Sequence, residues 1–211
     1  MCAIIGSFSK DKLIELIDLN SYRGSHSYSF SRLHLHGDLH VFNKGMGTFD
    51  KALLDILDEG DYGIIHIQAP TTEARDFDSV HPAREWFTAL WHNGIIKANY
   101  VKEMQARFGN DTEWDTQLLL RAVNTSRDEI NNVDGSFSCL WYDGAGAYLF
   151  RNDISPMFYD DQLNISSTKF NGSIPTPPNK FLYMDLETRA LYNRGEFKTV
   201  ENPYYFGDDL A

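Results

Sequence analysis

The sequence predicts an α+β fold of two β-sheets packed with helices, in one domain spanning 1–211. Three observations point that way. Short apolar runs of strand length recur along the chain. A few stretches instead repeat apolar residues at helical spacing. Eleven Tyr and 14 Phe favour strands and pockets over a plain helical bundle.

Ala3 to Phe8 reads as a buried strand. Lys10 to Asn20, with Leu13, Leu16 and Ile17 near helical spacing, reads as an amphipathic helix. Ser21 to Ser27 is a polar loop. Tyr28 to Asn43 alternates, with Leu33, Leu35, Leu39 and Val41 on one parity and Gly37-Asp38 as the turn of a hairpin. A short helix is expected over Phe49 to Asp58, stopped by Gly60. Tyr62 to Ala69 is a second buried strand, followed by a long loop from Pro70 to Arg84. Trp86 to Trp91 is a strand running into His92-Asn93-Gly94-Ile95. Asn99 to Phe108 and Asp115 to Val123 read as helices. The last third is β-rich: Ser136 to Tyr142, Ala147 to Arg151, Met157 to Asp160, Leu163 to Ser167 and Phe181 to Asp185. The stretch 201–211 is an acidic tail, expected to be loosely held.

The net charge of −11 and the absence of a basic run argue against a nucleic-acid partner. The apolar runs are too short to cross a bilayer, and the start lacks the charged and apolar regions of a signal peptide. The expected setting is the cytoplasm. The two cysteines, Cys2 and Cys139, fit a reducing compartment if Cys2 is catalytic and the pair is not a disulfide.

The chemistry starts at Met1-Cys2-Ala3-Ile4-Ile5-Gly6. Removal of Met1 would leave Cys2 with a thiol and a free α-amine on one residue. An α-amine titrates near about 7.7–8.0, close to working pH, where a general base is most effective. Nucleophile and base then share one residue, as in N-terminal threonine enzymes. The bland alternative is a buried strand cysteine. Asn93-Gly94 offers a side-chain amide and a backbone N–H that suit an oxyanion, although the same pair makes an ordinary turn.

Four pieces stand in order: Met1 to Gly6, Tyr22-Arg23-Gly24, His92-Asn93-Gly94-Ile95-Ile96, and Asp115-Thr116. Together they resemble the glutaminase domain of the class II, N-terminal-nucleophile glutamine amidotransferases. Val133-Asp134-Gly135-Ser136-Phe137 and Leu149 to Tyr159 are similar to the asparagine synthetase version. The resemblance runs from Cys2 to about residue 190. It implies a four-layer α-β-β-α sandwich with the nucleophile at the end of a central strand. It implies Cys2 as nucleophile, Asn93 and Gly94 as the oxyanion hole, and Asp115 on the substrate α-ammonium. Arg23 would lie in a loop bracing the site, with an acid two residues beyond Gly24, where this chain has His26.

The substrate is expected to be glutamine or a related amide, with no cofactor and no metal. With no Ser-Gly-Gly-x-Asp-Ser type nucleotide loop before Ala211, the ammonia is expected to pass to a separate synthetase subunit, or the chain to be a simple hydrolase. His34, His36 and His40 share a face of the hairpin and read as solvated, since no acid or cysteine completes a ligand set. Cys139 reads as core. Gln68 stands where the family carries an arginine that grips the glutamine α-carboxylate. A bidentate charged fork is replaced by one neutral amide, which weakens carboxylate binding by about ten-fold or more. Three readings are open. Another cation fills the gap, Arg75 or Arg84 being candidates, with Thr71 and Thr72 as further donors. The substrate is an amide without a free α-carboxylate. Or the chain is a degenerate member that binds or regulates a partner. Gln68→Arg is expected to lower KM for glutamine with little change in kcat, the lost contact being uniform binding.

Overall fold

Apolar side chains on both faces of the central strands stack this chain into layers. The structure, a computed structural model, describes residues 2–69 and 77–200. In β1 (Ala3–Ser7), Ala3 and Ile5 pack with Leu13, Leu16 and Ile17 of α1 (Lys10–Asn20). Ile4 points the other way and packs with Trp91 and Leu140. In β4 (Tyr62–Gln68), Ile65 and Ile67 face α1, while Tyr62 and Ile64 face the second sheet. That sheet repeats the pattern. In β6 (Thr88–Ile96) and β7 (Gly135–Tyr142), Ala89, Trp91 and Leu140 turn inward. Leu90, Phe137 and Cys139 turn out, against Met104 of α2 (Ala98–Phe108) and Leu118, Leu119 and Val123 of α3 (Asp115–Thr125). Strand periodicity of two makes this division automatic. Three cores between four layers give the α-β-β-α sandwich.

The remaining strands are β2 (Ser27–Leu33), β3 (Leu39–Met46), β5 (Ala83–Glu85), β8 (Ala147–Arg151), β9 (Phe158–Tyr159), β10 (Ile165–Ser166), β11 (Ile174–Pro175), β12 (Lys180–Asp185) and β13 (Ala190–Glu196). Among the described residues one sheet has seven strands, ordered β11-β9-β10-β1-β4-β2-β3, and the other six, ordered β13-β12-β8-β7-β6-β5. All pairings are antiparallel. β1 is central, between β10 and β4, with Ala3 opposite Ile67.

Most expected elements form within a residue or two of their limits. The helix expected over Phe49 to Asp58 is a tight 3-10 turn, Lys51–Ile56, whose start is capped by Asp50 on the Ala52 N–H (3.0 Å). β5, β11 and β13 were not foreseen. β5 and β11 are too short to show a period, and β13 is a half-exposed edge strand of mixed polarity. His34 pairs with the buried Asp61 (Nδ1–Oδ1 2.6 Å) and meets the His40 ring edge-on, while His36 is exposed. Among the described residues no helix is long and apolar enough to cross a membrane. The 201–211 tail lies outside the described residues.

Leu16 is fully buried between α1 and the seven-stranded sheet. Leu16→Ala is expected to destabilise the fold by about 2–5 kcal/mol in urea unfolding. Lys51→Ala, which removes only an exposed ion pair with Asp18, is expected to cost less than about 1 kcal/mol. Equal effects would contradict the layer assignment.

Candidate active site

Cys2 sits at the head of the central strand and is 5 % exposed. Its thiol points at the Ala69 carbonyl oxygen (3.8 Å). Arg23, itself buried, holds the Cys2 backbone from behind. Its Nη1 donates to the Cys2 carbonyl oxygen (3.2 Å), Nη2 to the Ser167 carbonyl oxygen (3.1 Å) and Nε to Thr168 Oγ1 (2.7 Å). Arg23 therefore braces the Cys2 backbone, its three side-chain hydrogen bonds among the described residues going to Cys2, Ser167 and Thr168. This chain has His26 where the resemblance implies an acid, and Arg23 is held by Thr168 and two carbonyls. His26 instead donates its backbone N–H to the Gln68 carbonyl oxygen (3.0 Å). Gly24 lets this loop lie on β4: a Cβ there would stand 2.6 Å from the Gln68 carbonyl oxygen.

Asn93 comes from the other sheet. Its Nδ2 donates to Ser167 Oγ (3.2 Å), the same hydroxyl that accepts the Ile4 N–H (3.0 Å). Its carbonyl oxygen accepts from Ser155 Oγ (2.7 Å). Ser155 is held in turn by the 151–156 turn, where Arg151 donates to the carbonyls of Asn152 (2.8 Å) and Ser155 (3.3 Å), and Asn152 Nδ2 bonds the Gly135 carbonyl (2.7 Å). Burial lowers the Arg151 pKa, and these carbonyl contacts offset the cost of enclosing its charge. This gives the Arg151-to-Pro156 motif a supporting task. Gly94 follows; a Cβ there would overlap the Ser136 carbonyl oxygen, so no side chain fits.

Asp115 opens α3. Its Oδ2 accepts the Ile96 N–H (3.3 Å) and its Oδ1 the Thr116 N–H (2.8 Å). A network of buried groups joins it to the Cys2 end. Thr116 Oγ1 lies 3.2 Å from His92 Nδ1 and 3.1 Å from His81 Nε2. His81 Nδ1 lies 3.1 Å from Gln68 Oε1, which also accepts from Ser27 Oγ (3.2 Å). Gln68 is 1 % exposed and its amide is already occupied. An arginine there would have to displace the Ser79 carbonyl contact and stand against His81, so the simple Gln68→Arg gain expected from sequence does not fit this packing.

The structure thus brings together Cys2, Arg23, Gln68, Asn93, Gly94 and Asp115 at one end of the sandwich. Thr71, Thr72 and Arg75 lie outside the described residues, as does Met1. Arg84 is on β5 and mostly exposed. Sequence reading missed Ser167, Thr168, Ser155, His81 and His66. Ser155 lies inside the Leu149-to-Tyr159 stretch, Ser167 at the end of an expected strand with Thr168 after it, and His81 in the long loop expected from Pro70 to Arg84, where no local pattern marks a site residue. Among the described residues no group of His, Cys, Asp or Glu is arranged to hold a metal. Two cavities, one bordered by Leu33, Gly37 and Tyr183 and one by Leu19 and Phe170, do not touch Cys2.

Cys139 is fully buried, and burial, with the Asp115 charge adding to it, pushes its thiol well above the usual range. Folded protein is therefore expected to take a small thiol reagent at Cys2 and not at Cys139 until unfolded, read by peptide mass spectrometry. Equal labelling of both would contradict this environment.

No protein-family model matches the chain, and no curated protein matches it. Solved structures do. Glutamine phosphoribosylpyrophosphate amidotransferase from B. subtilis, complexed with ADP and GMP, superposes with a TM-score of 0.67 at 18% identity, covering 91% of this chain and 49% of that one. A structure of the allosteric regulatory enzyme of purine biosynthesis gives 0.65 at 16% identity, covering 92% and 49%. The chain spans about half the length of these structures. At this identity the likeness is one of fold: this chain and these structures share the α-β-β-α sandwich.

Proposed function

We propose that the chain is a class II glutaminase that releases ammonia from glutamine through a Cys2 thioester. The observation that carries this reading is the meeting of Cys2's strand and Asn93 on one hydroxyl. Ile4 N–H and Asn93 Nδ2 both bond Ser167 Oγ, which fixes the Asn93 amide beside the head of β1. The fold shared with amidotransferases supports it.

In this mechanism Met1 is removed, since with Met1 attached the Cys2 nitrogen is an amide and no base. The α-amine takes the thiol proton as sulfur attacks the side-chain amide carbon. The oxyanion is held by Asn93 Nδ2 and the Gly94 N–H. The carbon–nitrogen bond breaks, the α-amine gives its proton to the leaving nitrogen, and ammonia departs. Water then cleaves the γ-glutamyl thioester, giving glutamate and the free thiol. Asp115 binds the substrate α-ammonium, Thr71 and Gln68 serve the α-carboxylate, and Arg23 positions Cys2. The ammonia goes to a separate acceptor or to solvent.

Purified protein lacking Met1 is expected to hydrolyse glutamine. Cys2→Ala is expected to abolish turnover, and Asn93→Ala to lower kcat by about 10²–10³-fold with a smaller change in KM. Unchanged kcat in Asn93→Ala, or glutamine hydrolysis by Cys2→Ala, would overturn the assignment.

A further inference from the structure

The two most exposed large apolar side chains among the described residues are neighbours, at the end of the sandwich away from Cys2. Trp86 is 88 % exposed and Phe87 81 %. They form the turn between β5 and β6, where Thr88 Oγ1 donates to the Glu85 carbonyl oxygen (2.7 Å). Strand β6 runs from Thr88 at this turn to Asn93 at the candidate site, roughly 17 Å at the usual strand rise.

Folding alone does not account for these residues. Trp86 has φ +54°, in the left-handed region that glycine or asparagine adopts readily and a bulky aromatic does not. Phe87 leans on the β7–β8 turn, since a Cβ on Gly144 would stand 3.6 Å from Phe87 Cβ. Single exposed apolar residues are ordinary on a protein surface. A strained turn that presents two adjacent aromatics is the mark of a contact surface.

The surface continues from the tip. The β2–β3 turn packs on the β7–β8 turn, with Tyr142 Oη donating to the Gly37 carbonyl oxygen (2.6 Å). Between these turns and the β12–β13 turn runs a groove of about 370 Å³, lined by Leu33, Leu35, Tyr183, Asp185 and Glu187 among others. Leu35 is 40 % exposed. Once covered, Trp86 and Phe87 together bury roughly 300–500 Å², a large share of the about 800 Å² that one side of a stable interface buries.

Charge selects the occupant. The turns on this side carry Asp38, Asp143, Asp185 and Glu187. The N–H groups of Thr188 and Glu187 bond the Asp185 carboxylate and hold it below the usual carboxylate range, so it stays charged. Arg84 and His36 are the basic groups beside them, while Arg189 is turned onto the Phe8 ring and Gln162. Two copies meeting through this end would set like charges together, and an anionic lipid surface would be repelled. A basic protein surface is complementary. Leu33 and Leu35 suit the methylene stem of a lysine or arginine, and Asp185 and Glu187 its charged head.

We propose that this end of the sandwich docks a basic protein, with Trp86 and Phe87 as the anchors that enter an apolar pocket on it. The surface is independent of the glutaminase reading, and docking there leaves the Cys2 end untouched.

The test places a photoreactive phenylalanine at position 87 of the full chain, in its native host, and identifies what is cross-linked. The cross-linked protein is then purified and titrated by calorimetry against the unsubstituted chain and its variants. The expected adduct is on a basic protein. Trp86→Asn combined with Phe87→Ser is expected to weaken its binding by about ten-fold or more. Glu187→Lys, and added salt, are each expected to weaken it by about three-fold or more. Any glutamine hydrolysis is expected to be unchanged in both variants. In urea unfolding the double variant is expected to be at least as stable as the parent, because asparagine suits φ +54°. A clear loss of stability there would show that the aromatics serve the fold, and would overturn the proposal. An adduct on a second copy of the chain, on lipid or on an acidic protein overturns it too, as does the absence of any adduct. So does a basic protein whose affinity is unchanged in the double variant, or insensitive to both Glu187→Lys and salt.

Discussion

One serine holds the Cys2 end of the sandwich together. Ser167 bonds Ile4 in both directions, its hydroxyl accepting the Ile4 N–H and its own N–H donating to the Ile4 carbonyl oxygen (3.1 Å). The same hydroxyl takes Asn93 Nδ2 from the facing sheet, and its carbonyl oxygen takes Arg23 Nη2. The strand that presents the thiol, the amide assigned to the oxyanion and the arginine that pins Cys2 all meet on this residue. A hydroxyl with one proton and two lone pairs can serve several partners without carrying a charge into the sandwich. Burial makes each partner costly to lose.

The polar groups are confined to one end because the strands change character along their length. At the Tyr62 end, β4 contributes Tyr62 and Ile64 to the inter-sheet core, whereas at its other end the same face carries His66 and Gln68. β2 follows suit, placing Ser27 opposite Gln68 and Ser29 opposite His66. Hydrophobic burial elsewhere stabilises the stack, which lets this end enclose a network of histidine, serine, threonine and glutamine.

The layers were legible because both faces of the central strands are apolar and α1 and α3 keep helical spacing. Cys2 stood out as a candidate nucleophile because that chemistry depends on position: a cysteine after the initiator has only one nearby source of a base. Asn93, Gly94 and Asp115 were singled out as candidates by their order along the chain. What supports them was not. Ser167 and Thr168 reach Arg23 and Asn93 across 74 to 145 positions of sequence, a pairing no local pattern encodes. Arg23 was expected in a loop bracing the site; in the fold it bonds the Cys2 and Ser167 carbonyl oxygens and Thr168 Oγ1. Gln68 read as a lost contact, whereas in the fold its amide is already engaged by Ser27, His81 and Ser79.

The account stands on Cys2 reacting from the N-terminus, in a site shaped for glutamine. The most direct measurement is intact mass after exposure of the protein from its native host to an electrophilic glutamine analogue. The account predicts a single adduct at Cys2, found only on molecules that have lost Met1 and suppressed by excess glutamine. An adduct on molecules that retain Met1, or a Cys2 that stays unmodified while glutamine is hydrolysed, would contradict it.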